Sequence, residues 1–267
     1  MRVKLKIEQA VIIIVLIYTW PCWAMKCADG NSVAASDVNL IDATLNKLNQ
    51  KVSELQSYQS RIEYLFRQPL LDSQTLRKGI LYYQKAKDSG KSALRIDFQT
   101  LKQDDGQEQK HAEQYIFDGV WLTHIDYQIK SVKRRQLTDV NEPADAFELA
   151  SRNFPIIGFT KTEDLRKQFE IRLIEQQGGK PSDTIGLRLK VKTDSAYKND
   201  YTDIEFWIDK KLYLPAKIVA TSTENDIYLI KFIDFRFNEA VDKKIFDVKI
   251  PEGFGEPEMI PLKKIKP

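Results

Sequence analysis

Residues 58–66 read Tyr58-Gln59-Ser60-Arg61-Ile62-Glu63-Tyr64-Leu65-Phe66. Tyr58, Ser60, Ile62, Tyr64 and Phe66 recur at every second position, with Arg61 and Glu63 between them. Successive side chains of a strand point to opposite faces, so this is one strand with an apolar face and a charged one. The pattern spreads outward. Gly79, Leu81 and Tyr83 continue it in a second strand, and Leu94, Ile96 and Phe98 alternate with Arg95 and Asp97 in a third. Asp118-Gly119, a hairpin signal, divides a fourth strand from a fifth in the run Tyr115 to Trp121, and strand character lasts through Gln136. Strands successive in sequence with turn residues between them predict antiparallel meandering.

Upstream, Ile41, Leu45, Leu48, Val52 and Leu55 recur at helical spacing behind Ser36 or Asp37 as a cap, which predicts a helix with one apolar stripe. Period two is lost from Asn141 to Lys167. Pro143, Pro155, a helical run from Ala144 to Ser151 and the apolar cluster Phe154, Ile156, Ile157 and Phe159 predict a helical lid there, between two halves of a sheet. The sheet then resumes. Phe169, Ile171 and Leu173 alternate with Glu170 and Arg172, Ile185, Leu187, Leu189 and Val191 with Arg188, Lys190 and Lys192, and Ile204, Phe206 and Ile208 with Glu205, Trp207 and Asp209. Asp209-Lys210-Lys211 turns the chain into Pro215 to Thr223. Ile227 to Phe237 is apolar on both faces over its first half and is expected to be covered on both sides.

The amino terminus sets the compartment. Arg2, Lys4 and Lys6 precede the short apolar run Ala10 to Tyr18, then Pro21 and Cys22-Trp23-Ala24, which predicts a signal peptide over 1–24 and export to the periplasm. The alternative is an uncleaved membrane anchor, although the run falls short of the roughly 20 residues a spanning helix needs. Neither Cys22 nor Cys27 has the preceding residues of a lipidation site, and after cleavage Cys27 has no partner for a disulfide. The formal charge is +3, and losing Arg2, Lys4, Lys6 and Glu8, three positive charges and one negative, leaves +1. A nearly neutral chain is not built for nucleic acid. Residues 25–36 read as a flexible segment, 37–254 as one domain and 255–267 as a tail whose Lys263, Lys264 and Lys266 end in solvent.

Enzymatic readings find little footing. His111 and His124 are the only histidines, and neither lies near a nucleophile motif. No Cys/His spacing suits a metal, no cofactor motif occurs, and Asp104-Asp105-Gly106 and Glu163-Asp164 read as solvated loop acids. No catalytic residue is assigned. One face of nearly every strand is aliphatic and aromatic and must be buried, and the only helices on offer are the first and the middle segment. They either fill the concavity, giving an ordinary core, or leave room for a ligand. Alternation alone favours the first.

In their order, the first helix, the Tyr58-to-Phe66 strand, Gly79-Ile80-Leu81-Tyr82, Leu94-Arg95-Ile96-Asp97-Phe98 and Asp118-Gly119-Val120-Trp121 resemble the LolA/LolB-like superfamily of periplasmic lipoprotein carriers. So do Pro155, Phe206-Trp207-Ile208-Asp209, Leu214-Pro215-Ala216-Lys217-Ile218 and the closing Asn238, Val241-Asp242, Phe246 and Pro251-Glu252-Gly253. The resemblance covers most of residues 37–254. It implies a mainly β fold with α, an unclosed antiparallel β half-barrel covered by a helical lid. It also implies a monomeric carrier that shields lipoprotein acyl chains in a concave apolar cavity, taking them from an inner-membrane transporter and delivering them to an outer-membrane acceptor.

The cavity residues are then Ile62, Tyr64, Phe66, Leu81, Tyr83, Ile96, Phe98, Trp121, Phe206, Ile208, Ile233 and Phe235, with Phe154, Ile156 and Ile157 as lid. One departure stands out. Family carriers place an arginine and a proline in the loop after the Gly79-like strand, where the arginine latches the lid, whereas Lys85-Ala86-Lys87-Asp88-Ser89-Gly90-Lys91 has neither. The alternative on the same fold is an envelope sensor of the RseB type, which binds lipid and signals to a membrane partner.

Overall fold

The computed structural model describes residues 35–85, 92–144, 146, 162–175 and 182–262. The expected leader, Cys27, the loop 86–91 and the lid residues Phe154, Ile156 and Ile157 lie outside them. The elements in chain order are α1 (Ala35–Ser53), β1 (Ser57–Gln68), β2 (Ser73–Lys85), β3 (Ser92–Gln103), β4 (Gln109–Phe117), β5 (Trp121–Asp126), β6 (Ser131–Gln136) and α2 (Thr162–Gln168). They continue with β7 (Phe169–Leu173), β8 (Thr184–Val191), β9 (Tyr201–Asp209), β10 (Pro215–Ser222), β11 (Ile227–Phe237) and β12 (Glu258–Ile260). The strands join in the order β12-β6-β5-β4-β3-β2-β1-β11-β10-β9-β8-β7, so β12 and β7 are ends and the sheet is unclosed. Pairing is antiparallel from β2 to β6 and from β7 to β11, as the alternation predicts. Parallel pairing of β12 on β6 is the exception, and it places part of the expected tail in the sheet.

The described chain divides into two compact units. Among the described residues, one comprises 35–54, 65–74, 162–175 and 182–231. Its sheet presents matched apolar rows: Leu173, Leu187, Phe206 and Ile218 stand side by side across β7 to β10, and Ile171, Leu189, Ile204 and Ala220 form the next row. Against this unit's β7 and α2 packs α1, whose Ile41, Leu45, Leu48 and Val52 are buried as their helical spacing requires. Each such side chain contributes about 1.5–3 kcal/mol by leaving water. The helix starts at Ala35, ahead of both expected caps, so Asp37 sits in the first turn, where its carboxylate meets the positive end of the helix dipole. Asp42 pairs with Arg166 of α2 at 2.5 Å, and Asn49 Nδ2 donates to Thr162 Oγ1 at 3.3 Å. Two-sided cover for the first half of β11 is not found: Ile227 to Ile230 are half-buried. Cover thins along the row, since Ile218 and Ala220 of β10 are buried while their partners Ile230 and Tyr228 are not.

The other unit comprises the described residues 55–64, 75–85, 92–144, 146 and 232–262. Asp118 shapes its β4–β5 hairpin, accepting from the backbone of Val120 at 3.0 Å and Trp121 at 2.7 Å, while Gly119 takes φ +96°, which a side chain disfavours. Gly79 is required for another reason. A Cβ there would stand 2.1 Å from the Asp97 carbonyl oxygen, at the irregularity between Lys78 and Gly79 in the β2–β3 pairing. The closing residues act locally: the Asn238 side chain accepts from Gln56 N at 2.7 Å, and Asp242 caps the 3-10 turn Lys243–Phe246, which lies against β3.

Candidate functional site

Cross-strand register in the second unit assembles an apolar face from β2, β3 and β4. Tyr83, Leu94 and Phe117 form one row; Leu81, Ile96, Tyr115 and His124 of β5 form the next; Gly79, Phe98 and Glu113 form the third. Side chains directly opposite each other in a ladder share a face, so the expected Leu81, Tyr83, Ile96 and Phe98 come together here. Tyr64 of β1 joins them, its ring 6.3 Å from Phe98, and Ile62 shares its face of the strand. The aromatic contacts continue from Phe98 to Tyr115 at 6.2 Å, and from Tyr115 to His124 at 4.3 Å in a parallel stack. Ile62, Tyr64, Leu81, Tyr83, Ile96 and Phe98 are between 2 and 9% exposed, so in this state they do not border an open void.

Two expected residues stand elsewhere. Trp121 pairs with Gln136 in the alternate rows of β5, on the face of Thr123 and Ile116, where its ring meets the Arg134 guanidinium at 5.5 Å. Asp234 adopts φ +51° and interrupts the alternation of β11. Phe232 and Phe235 therefore both approach the Tyr58 ring, at 6.4 and 6.3 Å, and Ile233 between them points away from it. In the first unit, Phe206 and Ile208 are fully buried in the β9 rows, and Phe66 stacks on Tyr228 at 5.0 Å.

The face also carries charge. Arg77 and Glu113 are 3 and 5% exposed, with Arg77 Nε 3.5 Å from Glu113 Oε2. Glu113 is shared further: His111 Nε2 lies 2.6 Å from Oε1, and the Tyr115 hydroxyl donates to Oε2 at 3.2 Å. Burial first, and the Glu113 charge second, push the Tyr115 hydroxyl well above the usual tyrosine range. It therefore stays a donor.

The opposite face is not simply wetted. Ile116, Thr123, Ile125 and Val132 are buried on it, and the segment after β11 lies against β3, with Arg95 donating to the Ile245 carbonyl at 2.6 Å. Beside this contact is a cleft of about 330 Å³ lined by Tyr82, Arg95, Asp97, Asp242, Lys244, Ile245, Asp247 and Lys249, a mixed-charge surface unsuited to hydrocarbon. Among the described residues no cluster of His, Cys, Asp or Glu could hold a metal, and no helix is long and apolar enough to cross a membrane. Lys85, the described end of the loop where the family latch is expected, is exposed.

Fold and face together define a mainly β protein with an unclosed sheet and a buried apolar face that holds one charged pair. No family model and no curated protein matches the chain. Among solved structures, it is similar to an uncharacterized conserved protein from Thermus thermophilus, at 10% identity and TM-score 0.44 over 84% of this chain and 99% of that one. It is also similar to MucB in the MucA/MucB complex of Pseudomonas aeruginosa, at 15% identity and TM-score 0.43 over 78% of this chain, which spans 60% of that one. A LolA superfamily protein from Nitrosomonas europaea aligns at 12% identity and TM-score 0.29, over 76% of this chain and 96% of its own. These likenesses concern the fold.

Proposed function

We propose that this chain is an exported, non-enzymatic carrier that shields the acyl chains of a lipoprotein or another membrane lipid on the apolar face of its sheet while they cross the periplasm. In this role it would receive them from an inner-membrane transporter and yield them to an outer-membrane acceptor. The observation that carries the reading is the face built from Ile62, Tyr64, Leu81, Tyr83, Ile96 and Phe98. Support also comes from the leader-like start and from the order of motifs shared with lipoprotein carriers. Each buried methylene contributes about 0.8 kcal/mol, so a chain of about 16 carbons represents roughly 12 kcal/mol before any cost of opening the face.

The test is native mass spectrometry on the protein purified from an exporting host, followed by organic extraction. Acyl-lipid adducts on the wild type that are lost in Phe98→Asp, with the β-sheet circular dichroism retained, are the expected result. A wild-type protein that carries no lipid and takes up no added fluorescent fatty acid or fatty acyl ester overturns the proposal in favour of a filled core.

A further inference from the structure

The charged pair on the apolar face has an open valence. Glu113 is fully engaged, with His111 on Oε1 and Tyr115 on Oε2. Arg77 is not: its buried Nε–H makes no hydrogen bond, because its 3.5 Å approach to Glu113 lacks the geometry of one. A buried donor without an acceptor is costly, and it sits where hydrocarbon would lie, since Glu113 stands opposite Phe98 and Tyr115 opposite Ile96.

We infer that Arg77 and Glu113 form a polar subsite within the apolar face that receives the carbonyl oxygen of an ester-linked acyl chain in preference to a free carboxylate. This rests on the proposed lipid-binding reading and specifies which end of the lipid the face recognises. Charge decides between the two ligands. Arg77 and Glu113 cancel, so the pair has no net charge to offset another anion. A carboxylate would bury a second negative charge beside Glu113, which is expensive without a compensating cation. An ester carbonyl supplies the missing acceptor and brings no charge.

The experiment compares a fluorescent long-chain fatty acid with its methyl ester, bearing the same fluorophore, in one buffer. Binding to the wild-type protein is set against binding to the double variant Arg77→Met/Glu113→Gln, which removes both charges together so that neither is stranded. The wild type is expected to bind the ester about tenfold more tightly than the acid, and the double variant to lose that preference while remaining folded by circular dichroism. Retained preference in the double variant, or a wild type that favours the acid, overturns the subsite but leaves acyl binding standing. If neither probe binds the wild type, the acyl-binding reading fails and the subsite with it.

Discussion

Replacing Arg77 by Met should destabilise the protein far more than replacing Arg77 and Glu113 together. Arg77 is 3% exposed, and the Glu113 side chain is 7% exposed at 3.5 Å from it. In Arg77→Met the Glu113 carboxylate keeps its contacts with His111 and Tyr115 but loses its cation in a site closed to water. Stranding one partner of a buried pair costs about 3–5 kcal/mol, and removing both is neutral or favourable. At roughly 2–4 °C per kcal/mol for a chain of this size, Arg77→Met should lower Tm by roughly 6–20 °C. Arg77→Met/Glu113→Gln should recover most of that loss, since a glutamine amide can still serve the His111 and Tyr115 contacts without a charge. Thermal and urea unfolding of the two single variants and the double variant, followed by circular dichroism, gives the coupling directly. A single variant within about 1 kcal/mol of wild type, or a double variant worse than both singles, would refute the idea that these side chains form a closed ion pair.

Gly79→Ala should be strongly destabilising, because its Cβ would lie 2.1 Å from a backbone oxygen that cannot swing aside, whereas Gly255→Ala, with nothing within 4 Å, should be silent. Equal unfolding midpoints for the two variants would contradict the close β2–β3 approach. The protein should also unfold in alkali. Burial raises the Tyr58, Tyr115 and Tyr228 hydroxyls, so the folded state holds their protons more tightly than the unfolded chain. The stability they contribute is complete below the ordinary tyrosine value of about 10 and is lost as pH rises beyond it. Tyrosinate absorbance should rise together with loss of β structure, and a separate, earlier titration of all the tyrosines would count against this account.

Legibility in the sequence followed strand parity. Ile62, Tyr64, Leu81, Tyr83, Ile96 and Phe98 are found buried, and the α1 stripe is buried at the positions its spacing marks. Trp121 escaped because parity does not carry through a hairpin. The pairing Phe117↔Leu122 places the even positions of β5 opposite the odd positions of β4. Ile233 escaped because Asp234, in the left-handed region, adds one residue to the count, which no periodicity announces. Arg77 and Glu113 are legible as well: they share the parity of Gly79, Leu81 and Tyr83 and of Tyr115 and Phe117, so alternation alone puts two charges on the apolar face. β12 has only three residues, with Met259 half exposed, too few for a pattern; the edge of β6 sets its position.

On the carrier reading, the burial of the face explains how tight binding and release can coexist. A face at 2–9% exposure is already out of water, so an arriving acyl chain must displace what now lies against it. The roughly 12 kcal/mol of methylene burial is therefore offset by the cover it displaces, and only the difference appears as affinity. Release is the same exchange in reverse and requires no chemistry. A purely hydrocarbon exchange of this kind would hardly discriminate among lipids, because every acyl chain offers similar methylenes. The Arg77 donor changes that. Left without an acceptor when the face is empty and satisfied when an ester carbonyl reaches it, it contributes only in the loaded state, so it can set which lipid is retained without making the hydrocarbon grip harder to break.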